Sequence, residues 1–470
     1  MNAPEFVAVV DVGKTHAKLL LLDAGSGQLE AAAERPRTVL AGEVVSQLDL
    51  AATETWLLDA LAAAPRRAHI TDLVPVAHGA AAALVDADGA LLSAPDYEDP
   101  AFEAVAAAYR AERDPFALTG SPELPLGLNL GRQLYYLETR QPALWTRAAR
   151  LLLHPQYWAW RLSGVAASEV TSLACHTDLW QPRTASPSPL ARRRGWDTLL
   201  PPLRRADAVL GPVQPALARR LGLTPTCRVR CGIHDSNASW LAHRTSPVAA
   251  RAERFAVISS GTWIVLMARG TELARLDPAR DMLVNVDAGG EAVATARFMG
   301  GREYAALAGA TPAPATAADV LAVLRSGALA LPSFADAGGA WAGQRGRLVG
   351  AEGLTAAERA ALATLYVALV CDARLDDLGA AGPIIVDGPL AADALFLATL
   401  AALRPASAVH AASARAGIVQ GALRLAGCRQ RPEDPGPAAT ALDAPGLAGY
   451  RARWRAQCTA LTNPPASSHQ

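Results

Sequence analysis

The sequence predicts an α/β fold of two similar domains on mixed sheets, and three observations point there. Apolar segments of strand length and helix length alternate along the chain. A strand–turn–strand unit near the start returns about 248 residues later. At 470 residues, the length suits roughly two to four domains, each able to bury its own core.

The first unit is a strand over Phe6 to Val10, a tight polar turn, and a returning strand over Leu19 to Leu22 that ends at Asp23. It reads as a β-hairpin whose loop carries Asp11, Gly13, Lys14, Thr15 and His16. A strand over Val74 to Ala77 and helices over Ala101 to Arg110 and Leu128 to Thr139 follow. The second copy has a strand over Phe255 to Ile258, the small-residue turn Ser259-Ser260-Gly261-Thr262, and a returning strand over Trp263 to Met267. Aligned on their glycines, Asp11 to Thr15 lies over Ser259 to Trp263. A long helix over Ala357 to Asp377, a buried strand over Pro383 to Val386 and a helix over Asp393 to Leu403 complete that half. Such a duplication predicts two like domains facing each other across a cleft. The boundary is expected between Trp240 and Glu253, where Arg244-Thr245-Ser246-Pro247 breaks the apolar pattern. This gives domains 1–245 and 254–456, and a frayed tail at 457–470.

Composition narrows the function. Half of the residues are apolar, and 44 basic side chains balance 44 acidic ones, which argues against a general nucleic-acid or membrane-surface binder. The start, Met1-Asn2-Ala3-Pro4-Glu5, lacks a basic segment ahead of its short apolar run, and the longest nearly apolar stretch, Ala360 to Cys371, is too short to span a bilayer. A cytoplasmic location is expected. Six scattered cysteines read as buried free thiols, because Cys227 and Cys231 lack the spacing and the second pair of a zinc site.

Lys14 and Lys18 are the only lysines, against 42 arginines. A lysine is a compact point charge that approaches a phosphate in a narrow loop from one direction. Gly13-Lys14-Thr15 ends like a P-loop, but position 8 is alanine and the loop joins two strands. The segment instead resembles the phosphate turn of the actin and hexokinase superfamily. In that turn Gly13 lets backbone amides approach phosphate, Thr15 offers a hydroxyl, and Lys14 and Lys18 neutralise charge. Asp11 suits Mg²⁺ held through water, since that ion prefers carboxylate and water ligands.

Between the two turns lies Gly232-Ile233-His234-Asp235-Ser236-Asn237. Phosphoryl transfer to an alcohol needs a carboxylate near the attacking hydroxyl, and Asp235 fits; it also fits a helix N-cap, and the helix dipole keeps it ionised. Together, Asp11 to Thr15, Gly232 to Asp235, Ser259 to Trp263, Asp178-Leu179-Trp180, Tyr157 to Gly164 and the stretch Gly382 to Gly427 resemble the FGGY carbohydrate kinases, most closely their rhamnulokinase branch. The resemblance implies two actin-like (ribonuclease H-like) domains. It also implies ATP and Mg²⁺ as cofactors, a small-molecule sugar as substrate, and Asp235 as catalytic base. Ser260, Gly261 and Thr262 are carried over as phosphate contacts, Gly388 as the remnant of an adenosine motif that reads Asp387-Gly388-Pro389, and Gly300 as a point of approach to nucleotide. The closing Gly- and Ala-rich motif of the family is matched loosely by Ala416 to Ala422. Members are often homodimers.

On the sugar side, His78-Gly79 resembles the Met-His-Gly segment of xylulose kinases, which places the His78 imidazole near sugar hydroxyls, and His234, next to the base, either bonds a sugar hydroxyl or braces the loop. Tyr97 and Asp99 fall where the family often has a Trp-x-Asp pair before a helix, and read rather as a surface turn. The expected reaction is ATP-dependent phosphorylation of a ketose such as rhamnulose, fuculose, xylulose or ribulose on a primary hydroxyl. The alternatives are a kinase of the same fold acting on glycerol, a tetritol or a signalling furanone, and a non-kinase actin-like ATP-binding regulatory protein.

Overall fold

The computed structural model describes residues 5–336, 338–413, 417–428 and 434–462. The chain divides into two compact units. One comprises Met1–Ala242, Val284–Val293 and Ala416–Pro432, and the other His243–Leu283, Ala294–Arg415 and Glu433–Gln470. The division is therefore discontinuous, and two later segments return to the first unit.

The first unit is built on a seven-stranded sheet. Its strands are β1 (Phe6–Val12), β2 (His16–Asp23), β3 (Leu29–Pro36), β4 (Ile70–Ala77), β5 (Val209–Pro212), β6 (Arg228–Arg230) and β7 (Ile233–His234). They lie in the order β5-β6-β4-β1-β2-β3, with β7 also paired to β4. β1 is buried along nearly its whole length and reads as a continuous apolar run, as a strand covered on both faces must. β3, at the edge, is exposed along much of its length and carries Glu30, Glu34 and Arg35. β1 runs to Val12, beyond the expected end at Val10, so Asp11 is a strand residue. β1, β4 and β7 are parallel, with Val12 and His234 both opposite Ala77. The segments after all three strands therefore leave the sheet at the same edge, where α/β folds gather their ligands.

Helix Ile418–Leu425 packs on this sheet: Ala422 and Leu423 share a core with Val7, Val9, Val74, Val76 and Ile233. A Cβ on Gly421 would lie 2.1 Å from the Ala238 carbonyl oxygen, so only glycine lets the two backbones meet. The closing motif thus serves packing in the first unit; its first residue, Ala416, lies outside the described residues. The helix expected over Ala101 to Arg110 is a 3₁₀ turn, Pro100–Val105, followed by a helix, Ala106–Glu112.

The second unit repeats the plan. Its sheet contains β8 (Phe255–Ser260), β9 (Ile264–Arg269), β10 (Met282–Val286), β11 (Ala292–Phe298), β12 (Ile384–Asp387) and β13 (Val409–Ala411), in the order β10-β11-β9-β8-β12-β13. The hairpin β8–β9 matches β1–β2, and β12, parallel to β8, matches β4. The long helix Ala356–Leu378 starts at a capping box of Thr355 and Glu358 and stops at Gly379, whose φ of 63° suits glycine. Its Asp372, fully buried, accepts from Arg451 and Arg455 at 2.6 Å. Those arginines lie on the last helix, Leu447–Thr462, so residues 457–462, expected to begin a tail, complete a packed helix. The remainder of that expected tail, 463–470, lies outside the described residues. No helix among the described residues is long and apolar enough to cross a membrane.

Candidate active site

In the first unit the hairpin places a row of charge across three strands. Asp11 is opposite Lys18, and Lys18 is opposite Glu34. Residues directly opposite share a face, so the ammonium stands between two carboxylates, with Lys18 Nζ 3.9 Å from Glu34. Burial, helped by the nearby Asp235 carboxylate and opposed by Lys18, raises Asp11 to about 7. Gly13 closes the turn through its amide, which donates to the His16 carbonyl at 2.9 Å, and Thr15 at the tip is exposed.

Lys14 points elsewhere. Its ammonium pairs with Asp96, lies 3.5 Å from Glu98 and sits 4.4 Å from the centre of the Tyr97 ring. A cation held by two carboxylates and an aromatic face has little reason to leave them, so its expected role at phosphate gives way to a bond with the 96–98 segment. That segment is no surface turn: Tyr97 is 7% exposed, and Asp99 caps the 3₁₀ turn through the Ala101 amide.

His78, just past β4, donates from Nδ1 to the Gly79 carbonyl at 2.8 Å. Its Nε2 is then left to accept from Arg37 Nη1 at 3.0 Å, and the same Nη1 donates to the Gly13 carbonyl at 2.9 Å. Burial and the Arg37 charge hold His78 well below the usual imidazole range, so it stays neutral. With both ring nitrogens engaged within the protein, His78 braces the hairpin turn, and the expected bonds to sugar hydroxyls find no free nitrogen. His154 packs edge-on against it, ring centres 4.5 Å apart.

Asp235 is the first residue of helix α1 (Asp235–Arg244), and its Oδ1 accepts from the Ser236 amide at 2.6 Å. Its side chain is 28% exposed, whereas that of His234 is 8% exposed. His234 Nε2 lies 3.2 Å from Asp235 Oδ1 and 3.7 Å from Cys175 Sγ.

In the second unit the turn holds no charge. Gly261 and Thr262 are exposed at its tip. Ser260 is occupied: its hydroxyl donates to the Asp387 carbonyl at 2.5 Å and accepts from the Leu390 amide at 3.0 Å, tying the turn to the end of β12. Gly388, at φ 78°, permits this contact, because a Cβ there would lie 2.1 Å from the Ser260 carbonyl oxygen. On the other side, Gly301 in helix α2 (Gly300–Ala308) brings its amide to the Thr262 carbonyl at 3.3 Å. Gly300 is required by packing, since a Cβ would strike Ile264 Cδ1 at 2.2 Å. His243 Nε2 meets Asp387 Oδ2 at 3.0 Å.

Comparison with known proteins identifies the architecture. Residues 252–435 match the family described as carbohydrate kinase FGGY, C-terminal domain. Among solved structures, a carbohydrate kinase from Novosphingobium aromaticivorans is 41% identical; the match covers 98% of this chain and 99% of that one, with a TM-score of 0.87. The chain belongs to the FGGY carbohydrate kinase family. Two further structures share this kinase's fold over 99% of both chains. They are a xylulose kinase from Lactobacillus acidophilus (15% identity, TM-score 0.80) and the Plasmodium falciparum glycerol kinase with ADP (11% identity, TM-score 0.76). No curated protein sequence matches the chain. The kinase is thus a carbohydrate kinase with the two-domain actin-like fold, and kinases of this family use ATP.

Within this FGGY kinase, the structure brings Asp11, Gly13, Thr15, His78, His234 and Asp235 to one sheet edge of the first unit. Ser260, Gly261, Thr262, Gly300 and Gly388 gather around the turn of the second. Sequence reading missed Glu34, Arg37, Asp96 and Cys175. Glu34 alone had a usable signal, an acidic residue in an alternating edge strand.

Proposed function

We propose that this FGGY kinase transfers the γ-phosphoryl group of ATP to a primary hydroxyl of a ketose, with Asp235 as general base. The observation that carries the reading is the partly exposed Asp235 carboxylate at the start of α1, at the sheet edge shared with Asp11. A carboxylate in this position, oriented by the Ser236 amide, accepts the hydroxyl proton as the oxygen attacks. The exposed Gly261–Thr262 tip offers backbone amides and a hydroxyl to phosphate, and Gly388 opens the strand end beside it. The choice of a ketose, of the kind used by rhamnulose, fuculose, xylulose or ribulose kinases, rests on the resemblance of Ser260 to Trp263, paired with Gly232 to Asp235, to the rhamnulokinase branch. A cytoplasmic location accords with sugar metabolism.

Mg²⁺ fits the residues present. No hydrogen bond among the described residues reaches the Asp11 carboxylate, and burial, helped by the nearby Asp235 charge, raises its pKa, so a divalent cation there would favour the ionised carboxylate. No cluster of three or more ligating side chains forms among the described residues, as suits an ion held by one or two carboxylates, water and substrate phosphates. Asp11 would hold such an ion through water, where it would supply charge neutralisation for the transferred group.

The test is Asp235→Asn assayed by ADP release over a panel of ketoses and polyols. Turnover is expected to fall by roughly three orders of magnitude or more while ATP affinity stays within about twofold. Retained turnover removes Asp235 from the reaction, and an ATPase rate that no sugar stimulates overturns the ketose kinase reading.

A further inference from the structure

The proton between His234 and its neighbours has no part in phosphoryl transfer as described, yet the surrounding residues hold it with care. A bare Nε2 would set its lone pair against the Asp235 carboxylate, 3.2 Å away, so the proton sits on Nε2. That one N–H faces two acceptors, the carboxylate and the Cys175 sulfur at 3.7 Å. Two further contacts orient the residue. Its Nδ1 faces the Asn237 amide at 3.2 Å, and the His234 backbone amide donates to Thr171 Oγ1 at 3.1 Å. Thr171 is itself fixed by donating to the buried Glu169 at 2.5 Å. On the open side, a Cβ on Gly79 would come within 3.0 Å of both Cys175 Sγ and His234 Nε2, so glycine is what lets the backbone close over the pair. Cys175 is 3% exposed, and the next residue, His176, is fixed at φ 42° by donating from Nδ1 to the Leu128 carbonyl at 2.6 Å.

We infer that Cys175 is a positioning residue for the proposed base: by sharing the Nε2 proton of His234 with Asp235, it sets how tightly that proton binds the carboxylate, and so how basic Asp235 is. The inference rests on Asp235 being the base. A proton given wholly to the carboxylate would stabilise its ionised form and weaken it as a base; a second acceptor loosens that bond. The electrostatics agree with the geometry. Burial opposes charge on His234, yet the sulfur and the Asp235 carboxylate lift it to about 9. Burial likewise opposes a thiolate, yet His176 and His234 hold Cys175 well below the usual thiol range. The other titratable groups facing this pair are Glu169, His78 and, through Asp235, Asp11.

The experiment is Cys175→Ala in the full chain, read in two ways. The acid limb of the kcat/KM profile for sugar is expected to move down by roughly 0.5–1 pH unit, with the ATP KM unchanged. The ¹⁵N resonance of His234 Nε2 is expected to shift in the enzyme without substrates. Cys175→Ser restores an acceptor and should place the limb between the two, and it carries the test should the alanine variant fail to fold. A limb that stays in place or moves up, with an unmoved resonance, overturns the inference even if the melting temperature falls, because Cys175 then only fills space. If Asp235→Asn keeps its turnover, the base assignment fails, and the resonance alone still decides whether the proton is shared.

Discussion

The two hairpin turns are one backbone used for two kinds of chemistry. In the first unit, the strands leading into and out of the turn carry Asp11 and Lys18, with Glu34 beyond and Lys14 tied to Asp96. In the second, the position aligned with Asp11 is Ser259, and the turn is Ser260, Gly261 and Thr262. A carboxylate, Asp387, lies on the parallel neighbour opposite Ser259 and bonds His243. The first turn handles charge through side chains. The second offers backbone and relies on close approach, with glycine at 388 and 301 where any Cβ would strike the turn. A duplicated fold conserves register and leaves the chemistry free, so equivalent positions need not share a role.

Three substitutions sharpen this contrast. Asp11→Asn, which keeps the shape and removes the charge, is expected to lower kcat by roughly a hundredfold or more, with little change in melting temperature. Steady-state kinetics at saturating ATP and metal checks it, and a loss below about tenfold would strip the first turn of its charge-handling role. Gly388→Ala acts on the second turn through shape. With a Cβ 2.1 Å from the Ser260 carbonyl at φ 78°, it should destabilise the protein by about 1–3 kcal/mol and raise the ATP KM. Denaturant unfolding measures the first effect, and an unchanged midpoint would mean the two loops are free to part. Lys14→Thr should be mildest. Because Lys14 bonds Asp96 and Tyr97, the melting temperature is expected to fall by roughly a few degrees while the ATP KM stays within about twofold. An unchanged melting temperature with a raised ATP KM would return Lys14 to the phosphate.

The hairpins, the duplication and the long helix were legible in the sequence because they rest on local patterns: alternation, small-residue turns and a long apolar run of helix length. The site was legible where chemistry is written in consecutive residues, as in Gly232 to Asp235 or Ser259 to Thr262. It was not where side chains meet across the fold. Arg37 reaches His78 across 41 positions, and Cys175 reaches His234 across 59. Lys14 was misdirected for the same reason, since its partner Asp96 is 82 residues away. Residues 457–462, expected to begin a tail, were misread for another reason. Polar residues near the end suggested fraying, but Arg451 and Arg455 are anchored by the buried Asp372, a contact no local pattern announces.

The confinement of both lysines to the first hairpin also makes this chain a natural reporter. Every side-chain amine of the molecule lies within five residues of one another, on the first hairpin. Lys18 is 41% exposed and Lys14 20% exposed, so acylating or methylating reagents meet Lys18 first. Labelling that most proteins would scatter over dozens of sites here reads out the occupancy of a single loop.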